Sequence, residues 1–351
     1  MSDLSQELQT QVAAAISEKR PLNIVGGNTK SFYGRSSQCD TLHLHAHTGI
    51  VNYEPTELVM TVRTGTSLEE IEDVLSRNNQ MLPFEPPYYG PNATIGGTVA
   101  CNLSGPRRSY AGAARDYVLG TKIINGKAEV LHFGGEVMKN VAGYDVSRLM
   151  TGAMGTLGVL LEVSFKVLPC FASEITLVQE TNENDAITKM NQWAGMPIPI
   201  SATAYLDGKL YVRLSGADSA LQAARKQIGG EFLSDAENFW LHLREHQLSV
   251  FKNAPTVWRI SVPQSTSQFI LDGEQIIEWG GGLRWLIGDV DSSQIRKLAT
   301  EAGGHATLFK GVNNDEKIFQ PLDNGLAKLH RNLKQAFDPH FIFNPNRMFA
   351  Y

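Results

Sequence analysis

ATIGGTVACNLSG, residues 93–105, sets three glycines, Gly96, Gly97 and Gly105, among the small residues Thr98, Ala100 and Ser104. With so few bulky side chains, the backbone can come close to a large planar ring. Earlier, PLNIVGGNTK (21–30) runs a short apolar strand into another glycine turn. The amides after Gly26 and Gly27 can fold into a nest of N–H donors suited to a pyrophosphate, and Thr29 adds a hydroxyl and Lys30 a cation. Taken alone, this pair reads more readily as a tight turn between two strands. Neither segment has the GxGxxG spacing of the classical dinucleotide fold, and GAMGTLG (152–158) departs from it as well.

Outward from these turns, TELVMTVRTG (56–65) reads as a strand, and Ser67 with Glu70 makes a capping box opening a helix through Ile71, Val74 and Leu75. Pro83, Pro86 and Pro87 impose an extended loop. Strands are predicted at 41–45, near 117–125 and near 128–133, with a helical segment through 139–151. Val159, Leu161, Val163, Phe165 and Val167 share one strand face. From about 171 the glycine clusters thin out. Strand-like YLDGKLYVRL (205–214) and VWRISV (257–262) alternate with helix-like stretches near 217–229 and 236–248. Leu326, Leu329, Leu333 and Phe337 mark a last helix at 3–4 spacing before DPHFIFNPNRM (338–348). A chain of 351 residues exceeds what one core ordinarily covers. The reading is α+β: a first domain over 1–170, a smaller α+β domain over 171–320, and a closing segment, 321–351, returning to the first.

Composition excludes several function classes. Thirty-six acids against thirty-one bases, without a long block of like charge, argue against a nucleic-acid partner. Cys39, Cys101 and Cys170 are far apart and form no CxxC or Cys/His cluster, so neither an iron–sulfur nor a zinc site is signalled. MSDLSQELQTQVAAAISEKR reads as an amphipathic helix through Leu4, Leu8, Val12 and Ile16, not as a signal peptide. LGVLLEVSFKVL (157–168) is broken by Glu162 and Lys166 and falls short of the roughly 20 residues of a spanning helix.

In order, VGGNT (25–29), YEPTELVMTVRTGTSL (53–68), LPFEPP (82–87), ATIGGTVACNLSG, GYDVSRLMTGAMGTLGVLLEVSFKVLP (143–169) and FNPNRM (343–348) resemble the vanillyl-alcohol-oxidase-type (PCMH-type) FAD-linked oxidases. GPRR (105–108), GGEVMKNVAGYD (134–145) and the short C-terminal part are similar to the FAD-binding subunits of bacterial glycolate-oxidising complexes. The resemblance implies a two-lobed PCMH-type FAD-binding domain with a smaller cap-like α+β domain. It puts the pyrophosphate on Gly26, Gly27, Asn28, Thr29 and Lys30. It puts the ring system and linker along Thr94, Ile95, Gly96, Gly97, Asn102, Ser104 and Gly105, with Gly155, Gly158 and Val159 near the adenine end. Some relatives attach FAD through a histidine beside the first glycine turn. Asn28 stands there here, and no histidine follows before His43, so non-covalent FAD is implied. The family's closing NPG is Asn344, Pro345, Asn346, and asparagine tolerates the positive φ that glycine would take.

The same resemblance implies oxidation of a small 2-hydroxy acid, glycolate or D-lactate. Its partners would be a larger FAD-containing catalytic subunit and an iron–sulfur subunit, in the cytoplasm at the inner face of the cell membrane. Such chemistry needs a base near the hydroxyl and a cation for the carboxylate. His305 is a candidate base, and Arg107 and Arg108 are candidate cations for a carboxylate or a flavin phosphate. Each also has a bland reading, as a locally bonded histidine or partner-facing arginines. The histidine-rich motifs HGEHG and HxGDGNxH of 2-hydroxy-acid oxidising relatives are missing, which leaves open a non-catalytic FAD scaffold or a stand-alone oxidase of another alcohol. HLREH (242–246) spells HxxEH, and His43, His45 and His47 share a strand face. A solvated helix and a polar sheet face are the favoured readings, and no metal is expected.

Overall fold

The computed structural model of the chain describes residues 2–36, 38–135, 144–252, 254–311 and 318–350. Most of GGEVMKNVAGYD, and the start of the helical segment expected over 139–151, lie outside them, and the helix there runs Val146–Met150. The fold is α+β, as expected. The N-terminal helix Ser5–Ser17 buries Leu8, Val12 and Ala15 in a small core with the parallel strands Leu22–Val25 and Asp40–His43. Beside it stands a five-stranded antiparallel sheet, ordered Ile50–Glu54, Val59–Arg63, Val159–Lys166, Val118–Ile124, Val130–Gly134. The helix Leu68–Ser76 opens on Ser67, whose hydroxyl accepts from the Glu70 amide.

An eight-stranded antiparallel sheet takes its strands from 173–310. YLDGKLYVRL is a hairpin rather than one strand: Asp207 and Gly208, at φ 49° and 70°, turn Ile200–Leu206 back onto Lys209–Gly216, as a two-residue primed turn requires. One face of this sheet carries Leu177, Val212, Ile277 and Leu286, covered by the helices Glu183–Ala194, Asp218–Ile228 and Ser292–Glu301. The opposite face carries Trp285, Ile276 and Phe309 and meets Tyr33, Leu103 and Met154 of the glycine-rich half. Hence the larger sheet is buried on both sides.

Charges lock this junction. Arg107 donates to Glu85, Ser215 and Glu174 at 2.8–3.2 Å, and Arg213 bonds Glu85 at 2.8 Å. Burial pushes the Glu85 carboxyl up, but Arg213 and Arg107 outweigh that and hold it below its ordinary range. Glu245 accepts from the amides of Tyr88 and Tyr89, and the Trp279 indole donates to the Gly105 carbonyl.

The last helix, Asn324–Phe337, forms as the spacing indicates, but of its apolar set only Phe337 packs on the main core. Leu326 and Leu329 are 47% and 52% exposed, whereas Lys334 is 1% exposed and is the helix's buried residue. Its ammonium donates to Asp338 and to the carbonyls of Thr156 and Phe343, each at 2.7 Å. Asp338 in turn accepts from the amides of Ile342 and Phe343. Each polar atom of this pair is thus satisfied, as burial demands. Lys334→Met strands the Asp338 carboxylate and should cost roughly 3–5 kcal/mol in urea denaturation. Leu329→Ser should change stability by less than about 0.5 kcal/mol. A large loss for the leucine and a small one for the lysine would contradict this packing.

Candidate cofactor site

Strand Leu22–Val25 delivers Gly26–Lys30 to the rim of an open cleft. Gly27 cannot be another residue, because a Cβ there would stand 1.5 Å from the Asn92 carbonyl oxygen. Asn28 turns the chain at φ 59°, a left-handed conformation asparagine tolerates. Among the described residues, the amides of Gly27, Asn28, Thr29 and Lys30 donate to no group of the protein. They form the free donor array that the sequence suggested.

Lys30 is buried in the same wall. Among the described residues its ammonium bonds the Thr29 hydroxyl (3.4 Å) and the Tyr88 carbonyl (3.3 Å) and lies 5.9 Å from the Tyr89 ring centroid, and burial lowers its pKa. Arg347 also lines the cleft, held by the carbonyls of Ser31, Tyr33 and Arg35, and burial lowers its pKa too. No carboxylate lines the cleft among the described residues. Two partly desolvated cations beside free amides, with no carboxylate among the residues lining the cleft, favour an anion.

ATIGGTVACNLSG is a short helix, Ile95–Cys101, rather than a glycine turn. Thr94 caps it by accepting from Gly97, and Asn102 ends it in the left-handed region. Its glycines serve close packing: a Cβ on Gly96 would lie 2.6 Å from that of Thr64. Gly96, Gly97, Gly155 and Gly158, with Ile24, Leu44 and Leu160, line a second, mostly apolar cleft that shares Ile24, Gly26, Thr94, Gly97, Ala100, Met154 and Asn344 with the first. Asn344 joins the walls: its side chain accepts from Ile24 N and donates to Met154 O, each at 2.7 Å. Asn346 has φ 60°, the glycine-like conformation expected of it.

Of the predicted cofactor residues, Gly26, Gly27, Asn28, Thr29, Lys30, Thr94, Gly96, Gly97, Gly155 and Gly158 border these clefts. Ile95, Asn102, Ser104, Gly105 and Val159 line neither. Ile95 and Val159 are core side chains, the Asn102 and Ser104 side chains accept from Arg115 N and Ala114 N, and Gly105 abuts Glu85. Sequence reasoning missed Cys101, Met154 and Arg347; only the FNPNRM block hinted at the last.

The catalytic candidates separate. Arg107 is consumed by the charge network at the junction, so it is not a free anion receptor. Arg108 lies over the Trp279 ring. His305 is exposed on the edge strand His305–Lys310, opposite Ser261, and burial and then Arg259 lower its pKa. HLREH makes no metal pair: Glu245 holds the 88–89 amides, and His246 is stacked on Phe251 at 4.0 Å, burial pushing its pKa down to about 3. His47 is buried, accepting from Leu4 N and reaching Leu161 O, while His43 and His45 are exposed. Among the described residues no cluster suited to a metal occurs.

Glu278 is buried on the sheet face turned to the glycine-rich half. Burial raises its pKa to about 7 against the pull of the Trp285 indole N–H (2.6 Å) and Arg259.

A family model described as FAD binding domain matches residues 4–134. The chain is 50% identical over 348 residues to the glycolate oxidase subunit GlcE of Escherichia coli (strain K12), covering 99% of this chain and 98% of that protein. It is 34% identical over 142 residues to the glycolate oxidase subunit GlcD of Bacillus subtilis (strain 168), covering 39% of this chain and 29% of that one. A D-lactate dehydrogenase of Anaerostipes hadrus is 32% identical over 146 residues, covering 41% and 30%. Among solved structures, an alkyldihydroxyacetonephosphate synthase superposes with a TM-score of 0.66 at 14% identity, covering 97% of this chain and 75% of that one, which shows a shared fold.

A glutamate unfolds to a pKa near 4.5, whereas folded Glu278 keeps its proton to about pH 7. Between these values the folded chain binds more protons, so this residue's contribution to stability falls as pH rises and levels off above 7. Glu278→Gln should therefore flatten the thermal-melt profile between pH 4.5 and 7 and melt higher than the parent above pH 7. Parallel profiles would contradict the burial assigned to it.

Proposed function

The chain belongs to the glycolate oxidase GlcE family of FAD-binding subunits, and on that basis we propose that its FAD lies along the two joined clefts, pyrophosphate against Gly27–Lys30. It is a subunit of a FAD-dependent 2-hydroxy-acid oxidoreductase of the glycolate oxidase type. The observation that carries the placement is buried Lys30 beside four amides without acceptors, in a cleft with no lining carboxylate.

When bound, FAD supplies the two-electron acceptor for oxidising a hydroxy acid to the 2-oxo acid. The chain's own residues hold and shield it. Amides and Lys30 meet the pyrophosphate, as charge-assisted donors do best. Gly96, Gly97, Gly155 and Gly158 give the mostly apolar cleft the bare walls along which an extended flat ligand can lie. Attachment is non-covalent: no histidine lines the clefts among the described residues, and burial pushes the Cys101 thiol up, leaving it protonated and a poor nucleophile.

Electrons leave through partner subunits, proposed to be a larger FAD-containing subunit and an iron–sulfur subunit. The three cysteines form no disulfide and lie far apart in sequence, and among the described residues they gather into no cluster-binding set. No helix among the described residues is long and apolar enough to cross a membrane; attachment at the inner membrane face would come through the complex.

Lys30→Met should weaken FAD binding about 10- to 100-fold, the worth of a charge-assisted contact, read by flavin fluorescence quenching on titrating the apo chain. Unchanged affinity would refute the placement. With the holo chain under anaerobic conditions, glycolate should bleach the flavin rapidly only once partner subunits are added. Equal bleaching without them would instead make this a stand-alone oxidase.

A further inference from the structure

Two guanidinium groups converge on one indole at the junction of the chain's halves. Arg108, just after the Ile95–Cys101 helix, and Arg259, in strand Val257–Ser261, place their Cζ atoms 4.3 and 5.2 Å from the Trp279 ring centroid. Each cation is attracted by the ring, but the two repel each other, and each is partly shielded from water. Among the described residues neither side chain has a hydrogen bond or an ion pair. The contrast with the adjacent Arg107 is direct, since it bonds two carboxylates and a hydroxyl.

The nearby acids do not neutralise the pair. Asp116 caps Ala113 N and lies 3.9 Å from Arg115. Glu278 is bonded to the Trp285 indole and, near neutral pH, carries only part of a charge. Besides Glu278, the titratable groups within electrostatic reach of Arg259 include Tyr33, Tyr89, His246 and His305, none of them a carboxylate. Arg259 pairs across the sheet with Thr307, so His305, two residues along the same strand face, is its diagonal neighbour at roughly 7–8 Å between Cα atoms.

We infer that Arg108 and Arg259 form a binding site within this chain for the carboxylate of a small 2-hydroxy or 2-oxo acid. Planar guanidinium forks match a carboxylate's two oxygens. Trp279, flanked by both guanidinium groups, adds an apolar surface beside them. The ligand's chemical class rests on the function proposed above; the existence of an anion site there does not. Tight packing of Arg107 into the charge network makes Arg108 the member of GPRR free to act.

Calorimetric titration of the full holo chain with glycolate, acetate and inorganic phosphate tests this. Glycolate and acetate should bind saturably and phosphate weakly. Arg259→Gln and Arg108→Gln should each weaken glycolate about tenfold or more, with FAD content and melting temperature unchanged. Arg259→Lys, which keeps the charge but loses the fork, should recover part of the loss, and Arg225→Gln, a surface arginine on Phe232, should lose nothing. No saturable binding by a chain holding its FAD would overturn the inference and leave the flavin reading standing. Preference for phosphate would overturn the carboxylate assignment, and binding to the apo chain alone would give the arginines to the flavin. A chain without flavin would refute the cofactor reading, and glycolate titration of that chain would still decide on the arginine site.

Discussion

Asn344 is the point on which the cofactor clefts depend. Through one side chain it ties the strand that launches Gly26–Lys30 to the 152–158 loop that brings Gly155 and Gly158, and its own amide donates to Leu22. Its position is set by Lys334 and Asp338, the buried pair whose bonds to Thr156, Ile342 and Phe343 bring the chain's end back across its beginning. An ion pair taken out of water is a weak source of net stability but a strict geometric requirement, because every bond it lacks is costly. Here it spends that strictness on the register of three segments far apart in sequence. A cleft with free amides and two unpaired cations survives without collapse because its walls are fixed from behind.

A second group of charges works on the same principle at the junction of the halves. Glu85, Arg107, Glu174 and Arg213 interlock, and Glu245 holds the loop after them, so the larger sheet meets the glycine-rich half at a fixed angle. Arg108 and Arg259 stand at that junction outside the network. The division is chemical: neighbouring arginines in GPRR have opposite fates, one closing the interface and one left for a ligand.

Much of the fold was legible because local signals agreed with burial. Ser67 caps the helix that its pattern with Glu70 signals, and the alternation from Val159 to Val167 marks a buried strand face. The glycine turn at 26–30 was readable because its signal is local, an apolar strand followed by a glycine pair. The second glycine segment was read as a turn since Gly96 and Gly97 disfavour helix, yet tertiary contact with Thr64 decides there. Lys334 could not be read at all: leucines at 3–4 spacing signal an inward face, and only carbonyls from elsewhere in the chain make the lysine the better buried group. Arg259 was hidden in VWRISV for a different reason. Alternation separates Trp258 and Ile260 from Arg259, but in a sheet covered on both faces it does not say which side meets the other half.

The central claim is that one FAD occupies these clefts without a covalent bond. Flavin released by acid precipitation of the purified chain, quantified against protein, tests it most directly. One FAD per chain, recovered wholly in the supernatant, is the predicted result. A chain that holds no flavin when supplied with FAD, or flavin that stays with the precipitate, would contradict it.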